Sequence, residues 1–187
     1  LPRPLSRAAG EGGEWPAELG MDAELESLSA SVGAELSRRK LMLACAESCT
    51  GGWVSEIVTA TAGSSEWFER GFVTYSNAAK QEMLGVPAEV LARHGAVSEE
   101  TVRAMAAGAV AHSRAQVALA VSGIAGPGGG SPGKPVGTVC FAWRMADAPP
   151  VAETRHFPGT REEVRRQAAV HALNGLLARL GPAKAMP

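Results

Sequence analysis

The sequence predicts an α/β domain, a three-layer α/β/α sandwich around a mixed, mostly parallel sheet of five strands. Three observations carry that expectation. The apolar runs 41–46 and 117–121 have the length and continuity of buried strands. Segments with apolar residues at helical spacing alternate with such runs along most of the chain. The links from first to second and from second to third strand are long enough for parallel crossovers, whereas the fourth and fifth strands are joined closely enough to form an antiparallel hairpin.

The elements follow in order. Residues 1–20 are rich in Pro, Gly, Ala and Arg without periodicity and are expected to be a disordered extension, with Met21 an alternative start. A single domain is expected over 21–182, with a flexible tail at 183–187. From Asp22, apolar Leu25, Leu28, Val32 and Leu36 recur at helical spacing, and the run closes on Arg38-Arg39-Lys40, basic residues that suit a helix C-terminus. Leu41 to Ala46 is the first strand. The chain turns through Ser48, Cys49 and Thr50 and continues after Gly51-Gly52 as a helix from Trp53 to about Ala60. Ala62-Gly63-Ser64-Ser65 breaks that helix, 66–70 reads as a short turn or helix, and Phe72 to Tyr75 reads as the second strand. Short helices are expected over 78–84 and 88–93. Ser98 caps an alanine-rich helix running to about Ser113, with Glu99 and Glu100 in its first turn. Val117 to Val121 is the third and central strand, Thr138 to Trp143 the fourth, and Val151 to Phe157 a fifth at an edge. The last helix opens at Gly159-Thr160 and carries Val164, Ala168, Ala172 and Leu176 on one stripe.

Composition narrows the function. The chain has 187 residues, 45% of them hydrophobic and 20% charged, with a net charge of −1. That balance gives no clustered basic face for nucleic acid. No apolar run reaches membrane-spanning length, and no signal peptide is expected, because the N-terminus lacks a compact apolar core with a small-residue cleavage site. Cys45, Cys49 and Cys140 are an odd number without C-x-x-C spacing and read as reduced thiols of a cytoplasmic protein. No His, Cys or carboxylate pattern suggests a metal.

In sheets of this class ligands gather at the carboxyl ends of parallel strands. Those ends are Ser48, Tyr75-Ser76-Asn77 and Ser122-Gly123. Ser48 has two readings, an N-cap for the helix that follows or a nucleophile beside free backbone N–H donors. A nucleophile needs a base, and His94, His112, His156 and His171 all fall outside these three loops; no G-x-S-x-G elbow is present either. Lys80, close to the only tyrosine, Tyr75, is the alternative base, since a poorly solvated lysine can give up its proton. The competing reading makes Lys80 a solvated side chain on a short helix. A Tyr–Lys pair for hydride transfer would need a spacing of four and G-x-G-x-x-G after the first strand, and neither occurs. Gly128 to Lys134 matches the G-x-x-x-x-G-K of a phosphate-binding loop, but Pro135 and a strand follow where Ser or Thr and a helix are required. The loop from Gly123 to Gly133 can still bring backbone N–H groups near an anion, or be only a conformationally demanding surface loop. Arg161, Arg165 and Arg166 at the start of the last helix could bind a phosphate or form a solvated face.

Four blocks then carry a resemblance: Ala46-Glu47-Ser48-Cys49-Thr50-Gly51-Gly52; Gly71-Phe72-Val73-Thr74-Tyr75-Ser76-Asn77 with Lys80; Gly95-Ala96-Val97-Ser98; and Ser122-Gly123-Ile124-Ala125-Gly126-Pro127-Gly128-Gly129 with 134–139. In collinear order from about Leu25 to Leu180 they closely resemble the bacterial CinA C-terminal domain family, the nicotinamide mononucleotide deamidases. The resemblance implies a cytoplasmic, metal-independent Ser–Lys amidohydrolase of pyridine nucleotide salvage. It would convert nicotinamide mononucleotide and water to nicotinate mononucleotide and ammonia, without a cofactor. It implies Ser48 as nucleophile, Lys80 as base and Tyr75 as assistant. The expected substrate-binding set is Cys49, Thr50, Gly51, Gly52, Asn77, Ser122, Gly123, Gly126 and Arg165, with Arg161 and Arg166 competing for the place of Arg165. N–H groups from Cys49 to Gly52 would stabilise the oxyanion. The larger CinA proteins carry an additional pyrophosphatase-like domain, so a stand-alone form is expected, as a homo-oligomer, a dimer, with no nucleic-acid or membrane partner. A non-catalytic pyridine-nucleotide-binding or competence accessory module, and an amidase of another substrate, are the alternatives.

Overall fold

The computed structural model describes residues 23–146 and 148–181. The extension expected at 1–20 and the tail at 183–187 lie outside the described residues. The elements are α1 (Ala23–Arg39), β1 (Leu43–Glu47), α2 (Trp53–Ala60), a 3₁₀ turn (Ser64–Glu66), β2 (Phe68–Val73), α3 (Asn77–Leu84), α4 (Ala88–His94), α5 (Glu99–Ala111), β3 (Val117–Gly123), β4 (Thr138–Met145), β5 (Val151–His156) and α6 (Arg161–Leu180). The five strands form one sheet in the order β2-β1-β3-β4-β5. β1 pairs in parallel with both β2 and β3, and β4 runs antiparallel to both β3 and β5. The sheet is mixed as expected, with its pairings divided evenly between the two kinds. The glycine-rich link from β3 to β4 contains no helix, so the chain reverses instead of crossing over.

Every residue of β1 is buried, because helices cover both faces of the sheet. Alternate positions serve the two faces. Cys45, Leu119, Val121, Phe141 and Trp143 pack with Leu36 of α1, Ile57 of α2 and Leu173 of α6. Ala44, Ala46, Ala118, Ala120 and Ala142 point the other way, against Met105 of α5, Leu84 of α3 and Leu91 of α4. Three layers result, and the alanines on the second face let α5 approach closely. The alternation also places Glu47 on the α2 side and Ser122 on the α5 side.

One element begins earlier than expected. The second strand starts at Phe68, inside the segment 66–70 read as a turn or helix, and ends at Val73. The Leu43 N–H already bonds to Trp67 O at 2.7 Å, and the register slips by one residue between Leu43 and Ala44. β2 is an edge strand, and Glu69-Arg70 in its middle breaks the apolar pattern that marks an interior strand.

Candidate active site

β1, β2 and β3 are neighbours, so their carboxyl ends bring Ser48, Thr74-Tyr75 and Ser122 together as expected. Ser48 is held from both sides of β1: its N–H bonds to Val121 O at 3.0 Å, and the preceding Glu47 O accepts the Thr74 N–H at 2.8 Å. Ser48 is not the helix cap. The N-cap of α2 is Gly52, at φ 99° and without a side-chain cap of its own. The capping acceptor is the fully buried carboxylate of Glu47, which accepts from the N–H of Gly52 (3.0 Å), Val54 (3.1 Å) and Ser55 (2.8 Å) and from the Ser55 hydroxyl (2.7 Å). Sequence reasoning passed over Glu47. Its signal was an acid closing an apolar run just before a turn rich in N–H donors.

These bonds change the expected oxyanion set. The Gly52 N–H is taken by Glu47 and the Gly51 N–H by Ser48 O at 3.1 Å. The N–H groups of Cys49 and Thr50 have no acceptor among the described residues. The free donors next to Ser48 are therefore these two, and Gly51 and Gly52 supply left-handed backbone instead, with φ of 63° and 99°. The Thr50 hydroxyl is buried and without a partner among the described residues.

Lys80 comes from α3, which Ser76 caps by accepting the Ala79 N–H. The lysine is fully buried, and its Nζ lies 3.0 Å from Ser48 Oγ, 2.7 Å from Thr74 O and 3.4 Å from Tyr75 O. No carboxylate pairs with it among the described residues. Burial pushes its pKa below the ordinary lysine value near 10.5. Cys49 acts the other way, but burial pushes its own thiol up to about 12 and keeps it neutral at physiological pH. The geometry serves both states of the amine. As an ammonium it donates to all three oxygens. As a neutral amine it keeps two N–H bonds to the carbonyls and presents its lone pair to the Ser48 hydroxyl.

Tyr75 meets Lys80 through its carbonyl. Its side chain is 62% exposed, and its phenol oxygen accepts from Arg161 at 3.2 Å. Arg161 also donates to Gly126 O at 2.7 Å, so it ties the end of β2 to the glycine-rich loop. Arg165 donates to Cys49 O (3.1 Å) and Thr50 O (2.9 Å) and lies over the Trp53 ring at 5.2 Å. Arg161 and Arg165, with Gly51, Gly52, Trp53, Glu56 and Glu162, line a cleft of about 530 Å³. Ser48 and Lys80 are buried beside that turn and do not form the cleft wall. Arg166 turns elsewhere, to an ion pair with Glu24 at 2.7 Å. Asn77 is exposed at the start of α3 and Gly123 is half-buried; neither lines the cleft. Ser122 is buried and donates to Ala96 O at 2.8 Å. Lys134, the lysine of the apparent phosphate-loop motif, donates to His94 O at 2.9 Å and clamps the loop to the end of α4.

A family model described as CinA C-terminal domain matches residues 25–180. The chain belongs to the CinA C-terminal domain family. It is 55% identical over 155 residues to nicotinamide-nucleotide amidohydrolase PncC of Escherichia coli K12, covering 83% of this chain and 94% of that protein. The protein of the same name from Pseudomonas putida is 53% identical over 154 residues, covering 82% and 95%. The crystal structure of the competence/damage inducible protein CihA from Agrobacterium tumefaciens superposes with a TM-score of 0.82 at 43% identity, covering 86% of this chain and 98% of that one. No helix among the described residues of this CinA domain is long and apolar enough to cross a membrane.

Proposed function

We propose that this chain is a Ser–Lys amidohydrolase of pyridine nucleotide salvage, releasing ammonia from the carboxamide of nicotinamide mononucleotide to leave nicotinate mononucleotide. The observation that carries the reading is the buried Lys80 amine, 3.0 Å from Ser48 Oγ and, among the described residues, with no carboxylate to hold it charged. The names of the relatives at 53–55% identity supply the substrate class.

Neutral Lys80 takes the Ser48 proton as Oγ attacks the carboxamide carbon, which the pyridinium charge already polarises. The N–H groups of Cys49 and Thr50 receive the oxyanion, a contribution of about 3 kcal/mol per donor in serine hydrolases. Protonated Lys80 then gives its proton to the departing nitrogen, and ammonia leaves an acyl-enzyme. Water, deprotonated by the same amine, hydrolyses that ester and restores Ser48. Tyr75 contributes its carbonyl to the placing of Lys80, and its phenol holds Arg161 over the cleft.

Arg161 and Arg165 bind the ribose phosphate. Both are anchored, Arg165 on the carbonyls of the Ser48 turn and Arg161 on Gly126 O and the Tyr75 phenol, and they share the phosphate contact. Arg161→Ala raises KM about 10- to 100-fold, the worth of one charge-assisted hydrogen bond or pair, and changes kcat much less; a steady-state titration reads the split. The function itself is tested by incubating the purified protein with nicotinamide mononucleotide in the presence of a chelator and measuring ammonia and nicotinate mononucleotide. Tight binding without ammonia release, or faster hydrolysis of an unrelated carboxamide, overturns the reading.

A further inference from the structure

A buried carboxylate is costly unless its oxygens are fully partnered. Glu47 meets that condition with four hydrogen bonds, all to the first turn of α2 and the glycine before it. An ordinary Ser or Asp cap sits at the N-cap itself and fixes only the helix end. Here the cap comes from the last residue of β1, five positions upstream of Gly52. One side chain therefore spans the whole turn from Ser48 to Gly52 and fixes its two ends relative to each other. A second feature belongs to the same arrangement. Gly71 on β2 pairs across from Cys45, and a Cβ there would collide with the Ser55 hydroxyl that donates to Glu47. The missing side chain of Gly71 is the space that Ser55 occupies.

We infer that Glu47 is a positioning residue for the hydrolysis: its carboxylate claims the N–H groups of Gly52, Val54 and Ser55 and locks the turn whose free donors, Cys49 and Thr50, stand next to Ser48. This rests on the proposed amidohydrolase reading for its substrate, and on geometry for the rest. Glutamine at this position keeps the volume but replaces an acceptor oxygen with an N–H₂ that faces donors. The turn then loosens, and what suffers first is the alignment of nucleophile and oxyanion donors, while Arg161, anchored outside the turn on Gly126 O and the Tyr75 phenol, stays in the cleft to hold the phosphate.

The test compares the wild-type chain with Glu47→Gln by two readouts. The first is kcat and KM on nicotinamide mononucleotide. The second is the rate at which a fluorophosphonate labels Ser48, followed by intact-protein mass, which needs no nucleotide recognition. Glu47→Gln lowers kcat and the labelling rate together by about 100-fold, the scale of one lost oxyanion donor, and KM stays within about threefold. Unchanged labelling and kcat in a folded Glu47→Gln chain overturn the inference, as does a rise in KM with labelling intact. Should Glu47→Gln fail to fold, Ser55→Ala takes its place: it deletes one of the four bonds and slows labelling about three- to tenfold, and an unchanged rate overturns the inference. Wild-type protein that labels at Ser48 but leaves nicotinamide mononucleotide intact refutes the substrate assignment alone, and the labelling comparison then decides the role of Glu47. Wild-type protein that does neither refutes both.

Discussion

Ser48→Ala lowers kcat on nicotinamide mononucleotide by about 10⁴-fold or more, the loss expected when the nucleophile of a covalent mechanism is deleted. The same change leaves nucleotide affinity within about threefold, because the cleft residues Arg161, Arg165 and Trp53 are untouched. It also leaves the fold in place. The Ser48 N–H still bonds to Val121 O, and Lys80 keeps its two carbonyl acceptors. Calorimetric titration with nicotinamide mononucleotide, with ammonia release assayed in parallel, reads both quantities. In wild-type protein, rapid quenching traps an ester on Ser48 that mass spectrometry detects and that is missing from the variant. Ser48→Ala protein with more than about a hundredth of wild-type turnover would falsify the covalent role.

Lys80→Met comes next in size. Methionine fills similar volume without a proton acceptor, and kcat/KM falls about 10³-fold, within the range for losing a general base. The pH profile separates this from a packing defect. In the proposed mechanism the active form of Lys80 is neutral, so wild-type kcat/KM climbs as pH rises through the lysine pKa, which burial holds below 10.5. That ascending limb is absent from the residual activity of Lys80→Met. Stability moves with the same sign. Between the depressed folded pKa and the ordinary value near 10.5, the unfolded chain binds the proton and the folded chain does not. Wild-type protein therefore gains stability relative to Lys80→Met as pH rises through that window. Below the folded pKa the difference is constant, with the cost of burying the ammonium fully present. Denaturant midpoints of the two proteins at a series of pH values measure it.

The alternation of apolar runs and helical stripes made the layer order and the three converging strand ends legible in the sequence, since both depend on local periodicity. The start of β2 was not, because an edge strand need not bury its side chains and Glu69-Arg70 interrupts the pattern. The pairing of Ser48 with Lys80 was reachable through the absence of a histidine in the three loops and through family resemblance. Its geometry was not, because nothing local to either residue states that they meet 32 positions apart. Oxyanion donors were read too broadly. Which N–H groups stay free depends on what caps α2, and the acid of Ala46-Glu47-Ser48 signals that role only by closing an apolar run ahead of a donor-rich turn. The closeness of Tyr75 to Lys80 in sequence does not show which part of the tyrosine meets the lysine: the ring turns outward to Arg161 and only the carbonyl reaches Lys80.

The two halves of the proposed dyad sit on supports of unequal strength. Ser48 is fastened to an interior strand with neighbours on both sides, whereas the carbonyls that place Lys80 belong to the residues just beyond β2, the outermost strand. Sheets open from their borders before their centres. A partial opening that peels β2 from β1 takes the Thr74 and Tyr75 carbonyls away from Lys80, which stays on α3, and so loosens the aim of its amine at Ser48 while both helical layers remain packed. On the proposed mechanism, activity is therefore expected to be lost at a lower temperature than the fold. A nucleotide that engages Arg161, which already grips Tyr75 and the glycine-rich loop, clasps that border shut and raises the temperature at which activity is lost.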